Sequence, residues 1–159
     1  MITQEFLKSI VSYDKETGVF QRKDGVKFGF KDDGYLRSEI NGKNYYLHRL
    51  AWLYEYGEFP DSHLDHVNGD KADNRIENLR KASRSENLCN VRKTKRNTSG
   101  YKNVTFHKES NKWRVKVSVN GKNKSFGLYE DIELADLVAI EVRNKFHGQF
   151  ANHSLMGTV

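Results

Sequence analysis

Apolar residues are sparse along this chain, and where they gather they follow two different periods. Gly18 to Arg22, Tyr35 to Ile40 and Lys43 to Leu47 read as strands. Asn41-Gly42 separates the last two and tolerates positive φ at both turn positions, the strongest short hairpin signal. A short helix is expected near Gln4 to Val11. From His48 to Tyr56 a helix is predicted, with Leu50, Leu53 and Tyr54 on one face and Gly57 as the residue that ends it. Leu64 opens a strand, Leu79 to Ala82 forms another, and Ser83-Arg84-Ser85-Glu86 is a capping box that starts a helix. The stretch Asn90 to Gly100 has no apolar period and ends in Ser-Gly, as a linker would. Beyond it, strands are predicted over Asn103 to His107, Lys112 to Val119 and Lys122 to Leu128, the last two joined by Asn120-Gly121. Trp113, Val115, Val117 and Val119 alternate with Arg114, Lys116 and Ser118, so one face packs and the other is basic. Asp131 caps a closing helix whose Ala135, Val138, Ala139, Val142 and Phe146 share one side. The pattern predicts an α+β protein: a strand-loop-strand-helix finger, then a three-stranded antiparallel sheet with one packed helix.

Composition narrows the functional classes. The 159 residues allow one ordinary domain or two small ones. Mean hydropathy is low, at -0.82, yet aromatics reach 12% and can seed compact cores. No apolar run is long enough to span a membrane, and the N-terminus lacks the features of a secretory signal. A single cysteine, Cys89, forms no internal disulfide and supplies no paired thiolates, so a reducing, cytoplasmic setting is expected. The net charge of +6 is unevenly spread: residues 80–126 hold 14 basic and 2 acidic side chains, while both flanks are mildly acidic. Solvated surfaces usually mix the signs, so this block predicts a polyanionic partner, with double-stranded DNA the expected one.

The chemistry concentrates between Leu64 and Asn90. Asp65 and His66 are adjacent, Asn78 lies 12 residues after His66, and Asn87 lies 21 after it. A strand, loop, strand and helix can bring these four around one point. Hydrolysing a phosphodiester needs a base, a cation for the developing charge, and a group that orients the base. An Asp carboxylate and an Asn amide oxygen suit a hard ion such as Mg2+. His66 suits the base, and Asn78 can bond its other ring nitrogen and fix the tautomer. The loop residues Asn68, Asp70, Asp73 and Asn74 read as turn formers, because no Glu stands where a calcium loop needs its twelfth ligand. His48 and Arg49 contact phosphate on one reading; on the other, His48 ties the preceding hairpin to the finger.

The runs HRLAW (His48 to Trp52), LDHVNGDKADNRIENLR and SRSENLCN strongly resemble the HNH endonucleases of the phage and intron homing type, whose site is a ββα-metal finger. That resemblance implies Asp65 and Asn87 as ligands of one divalent metal, His66 as general base and Asn78 as the residue orienting it. Asn rather than His at the last motif position favours Mg2+, with Mn2+ as the substitute. Members with structural zinc carry paired cysteines, so no zinc is predicted, and no small-molecule cofactor. The stretch beginning SGYKNVTFHKESNKWRVKVSVNGK resembles the Apetala-type DNA-binding domain of plant ethylene-response factors and of many homing nucleases. It implies a sheet in the major groove, with Arg114 and Lys116 reaching bases or phosphates and Arg92, Lys93, Lys95 and Arg96 following the backbone. The organisation expected is a nuclease domain over 1–90 with its finger near 62–90, a basic linker over 91–100, a DNA-binding domain over 101–152 and a tail over 153–159. Together they predict a site-directed, metal-dependent DNA endonuclease. The rival is a DNA-binding regulator whose finger is inert; an RNA-processing role is weaker, since Trp113 alternates onto the packed face. Recognition sequence and oligomeric state are not encoded in any of these patterns.

Overall fold

The computed structural model of the chain describes residues 2–91 and 97–153, in two compact units, Met1–Ser83 and Arg84–Val159. Both are mixed α/β assemblies of small antiparallel sheets and few helices. Among the described residues no helix is long and apolar enough to cross a membrane.

In the first unit, α1 (Gln4–Ile10) starts at Thr3, whose hydroxyl accepts the Phe6 amide at 3.2 Å, and runs directly into β1 (Val11–Asp14). β1 pairs with β2 (Val19–Arg22). A second sheet follows in the order β3 (Phe30–Asp32), β4 (Tyr35–Ile40), β5 (Lys43–Tyr46), and its β4–β5 turn has Asn41 and Gly42 at φ of 51° and 73°. β1 and β3 are not predicted by the pattern. The first is only four residues long, and the second is three residues, all exposed, so neither offers an apolar run to recognise. α2 (Leu47–Tyr56) ends at Gly57, which is left-handed (φ 82°) and returns its amide to the Leu53 carbonyl. α2 and α1 close a core of Leu7, Val11, Phe20, Phe28, Leu47, Leu50 and Leu53. The last elements are β6 (His63–His66) and β7 (Leu79–Ala82), a two-stranded antiparallel ribbon.

The second unit begins with α3 (Arg84–Cys89). β8 (Val104–His107), β9 (Lys112–Val119) and β10 (Lys122–Tyr129) then form an antiparallel sheet with β9 central. β10 is shifted in register between Ser125 and Leu128. α4 (Ile132–His147) packs across the sheet, with the Asp131 carboxylate accepting the Leu134 amide at 2.7 Å. Ala135 and Ala139 meet Val104, Val115 and Val117 in a dry core. The expected apolar side of α4 is corrected at its end: Phe146 stays 43% exposed and Arg143 is buried instead. The Arg143 guanidinium donates to the Lys102 carbonyl at 2.8 Å and to the Asn103 side-chain oxygen at 3.4 Å, which offsets part of the cost of burying a long cation.

Candidate active site

β6 and β7 pair Asp65 with Arg80 and His66 with Leu79. Leu64, Asp65 and His66 are all buried, so this short ribbon is covered on both faces. Residues paired across an antiparallel ribbon share a face. Arg80 accordingly reaches the Asp65 carboxylate with Nε and Nη2 on Oδ2, at 2.8 and 2.6 Å. Asp65 is only 3% exposed, and a carboxylate that deep in protein requires such a partner.

His66 points to the other face. Its ring meets His48 edge-on at 5.1 Å between centroids and Tyr35 at 6.0 Å. Burial lowers its pKa, against the opposing pull of the Asn74 amide and of Asp65, Asp73 and Asp70, so the imidazole is neutral at pH 7. Neutrality is the state a general base needs. His48 is itself buried among Tyr35, Tyr46 and His66, with its pKa pushed down to about 3 by burial, by His66 and by Arg49. An uncharged, inaccessible ring is poorly suited to phosphate. Of the two readings of His48, its position matches the tie between hairpin and finger. Arg49 donates to the carbonyls of Pro60 (3.1 Å) and Ser62 (3.5 Å), which holds the segment entering β6.

The loop between the strands is organised by its own side chains. The Asn78 amide oxygen accepts the Asn68 amide at 2.9 Å and its nitrogen donates to the Asp73 carbonyl at 2.8 Å. Asn78 therefore grips the loop backbone, and the expected bond to the imidazole is replaced by these two. Asp70 accepts the Ala72 amide, and Asp73 takes the Arg75 guanidinium on both oxygens, which lowers the Asp73 pKa. These carboxylates serve the turn, as expected of turn formers.

Asn74 is the residue that sequence reasoning undervalued. It is 1% exposed, its side-chain amide lies against the His66 imidazole, and its carbonyl accepts the buried Tyr13 hydroxyl at 2.7 Å. Gly18 packs against the same point, where an added Cβ would stand 2.5 Å from the Arg75 nitrogen. The β1–β2 hairpin thus buttresses the loop beside His66. In sequence, Asn74 is one more amide in a polar turn, and only its surroundings in the fold set it apart.

Asn87 is half-buried on α3, within the second unit. Among the described residues no group of three or more His, Cys, Asp or Glu side chains could hold a metal ion. Asp65 and Asn87 stand in different compact units, and each carries an oxygen donor of the kind a hard cation takes. In the second unit Lys116 is exposed on β9 while Arg114 is half-buried, its Nε enclosed. Arg92, Lys93, Lys95 and Arg96 lie outside the described residues.

Comparison with known proteins bears on this geometry. Residues 45–89, which run from β5 through α3, match the family model of the HNH endonuclease. Protein 3.8 of Escherichia phage T7 is 33% identical over 105 residues, covering 65% of this chain and 86% of that protein. No solved structure matches the chain.

Proposed function

The chain belongs to the family of phage T7 Protein 3.8 and carries an HNH endonuclease domain, and from that premise we propose that it is a metal-dependent, site-directed endonuclease of double-stranded DNA. The observation that carries the proposal is a neutral His66 at the end of β6, backed by His48 and Tyr35 and followed by a loop that Asn78 fixes. His66 takes the proton of a water that attacks the phosphorus, and the leaving oxygen departs in line. Asp65 and Asn87 would hold a divalent ion, Mg2+ or in its place Mn2+, which would supply positive charge for the reacting phosphate and the leaving oxygen. Arg80 keeps the Asp65 carboxylate in one orientation. Asn78 is a positioning residue that acts through the loop backbone.

The finger would be the ββα-metal arrangement formed by β6, β7 and α3. The sheet of β8, β9 and β10 with α4 supports an Apetala-type DNA-binding role, in which Arg114 and Lys116 read the groove. The basic run of Arg92, Lys93, Lys95 and Arg96 would follow the phosphates. Homing-type site choice would then reside in the C-terminal part.

One observation favours a second reading. The Asp65 oxygen nearest Arg80 is already occupied twice, as suits a DNA-binding regulator with an inert finger. Incubating supercoiled plasmid with the protein and Mg2+, and in parallel with EDTA, separates the two. Conversion to nicked or linear DNA only with Mg2+ supports the nuclease; binding without any conversion supports the regulator.

A further inference from the structure

α3 has six residues and none of them is buried. A helix so short does not hold itself in water, and without a buried apolar face it lacks the usual tertiary support. A polar clamp holds its C-terminal end. Lys102 Nζ donates to the Cys89 carbonyl at 3.1 Å, where a cation also complements the negative end of the helix. Asn152 Nδ2 donates to the carbonyl and to the side-chain oxygen of Asn90, at 2.8 and 2.9 Å. Lys102 Nζ also reaches the Asn152 carbonyl at 3.3 Å, which links the two halves of the clamp. Asn90 and Asn152 are 6% and 7% exposed, so these bonds are shielded from water. Arg143, buried on α4, holds the Lys102 carbonyl and anchors the clamp in the second unit's core.

Lys102 has no carboxylate partner among the described residues. Burial and the nearby Arg143 push its pKa down to about 8, the mark of a desolvated cation held by neutral acceptors. Such a lysine is costly as a surface solubiliser and useful as a fixed donor.

We propose that Lys102 and Asn152 are positioning residues for the nuclease reaction: by clamping the end of α3 they fix Asn87, one turn earlier, as a metal ligand. The inference rests on the metal role proposed above for Asn87. It gives the C-terminal unit a part in the chemistry as well as in gripping DNA.

The test uses the full-length chain with Lys102→Met, Lys102→Arg and Asn152→Ala. The readouts are amide hydrogen exchange over 84–90, the Mg2+ concentration for half-maximal cleavage, and DNA affinity in EDTA. Lys102→Met and Asn152→Ala should speed exchange in that segment and raise the Mg2+ requirement about 10- to 100-fold, the usual effect of losing a group that orients a metal ligand. DNA affinity in EDTA should hold, and Lys102→Arg, which can still donate to both carbonyls, should recover most of the effect. If Asn152→Ala does not fold, Asn152→Asp, similar in shape but unable to donate, replaces it. An unchanged Mg2+ requirement in a wild-type background that cleaves would overturn this inference alone, as would a loss of cleavage matched by a loss of DNA affinity. A wild-type chain without metal-dependent cleavage would instead defeat the nuclease reading and this inference with it.

Discussion

His48 makes the first unit sensitive to acid in a calculable way. The residue is 8% exposed, its Nδ1 is enclosed without a hydrogen-bond partner among the described residues, and its pKa in the folded chain is about 3. In the unfolded chain it returns to the ordinary value of 6.5. The folded pKa is depressed, so the unfolded state binds the proton first, and the stability present above pH 6.5 is lost as pH falls towards 3. Linkage puts the loss between pH 7 and pH 5 at about 2 kcal/mol, and at about 5 kcal/mol once pH lies below both values. His48→Phe keeps an aromatic ring against Tyr35, Tyr46 and His66 and removes the titrating group. Urea unfolding, followed by Trp52 fluorescence in a Trp113→Phe background, reports the first unit. The difference in stability between His48→Phe and its parent should grow by about 2 kcal/mol from pH 7 to pH 5. A difference that does not change with pH would refute the reasoning, since His48 would then titrate alike in both states.

Four further outcomes are expected. Arg80→Ala strips the guanidinium from a buried carboxylate and should cost about 3–5 kcal/mol in thermal or urea unfolding; a loss below about 1 kcal/mol would place Asp65 in water. Asn78→Ala removes two bonds that hold the loop, so it should cost about 2 kcal/mol and slow cleavage while DNA affinity stays level; wild-type cleavage would remove Asn78 from the machinery. Replacing Arg92, Lys93, Lys95 and Arg96 with neutral residues should weaken all DNA sequences alike and flatten the log-affinity versus log-salt slope by about 0.9 for each phosphate no longer neutralised. Changes at Arg114 or Lys116 should shift which sequences are preferred, as read by selection from a randomised pool.

Elements whose side chains carry a periodic pattern or a special turn were legible in the sequence. α2, both Asn-Gly turns and the β8–β10 sheet fall within a residue or two of their expected bounds, because burial of alternating residues and positive φ leave local marks. β3 was not legible, since its residues bury nothing. The site was readable as residue types and spacing, but its wiring was not. Asn78 and Asn74 are both amides in one polar loop, and only the fold assigns the first to one backbone donor and one backbone acceptor and the second to the buried side beside His66. Arg80 was likewise invisible as the partner of Asp65, because that pairing depends on a register 15 residues apart in sequence. The expected finger closed at residue 90, whereas α3 falls in the second compact unit, where Lys102 and Asn152, far along the chain, bond to its C-terminal end. A chain ending near Val91 therefore loses the clamp on α3 along with the basic block.

As the proposed general base, His66 would take the proton in phosphodiester hydrolysis. The direct measurement is the single-turnover cleavage rate of His66→Ala against wild type, at saturating Mg2+ and DNA, with affinity for the same DNA measured in EDTA. The rate should fall by about 10²- to 10⁴-fold with affinity essentially retained. A variant that cleaves at the wild-type rate, or one whose loss of cleavage is matched by its loss of affinity, would contradict it.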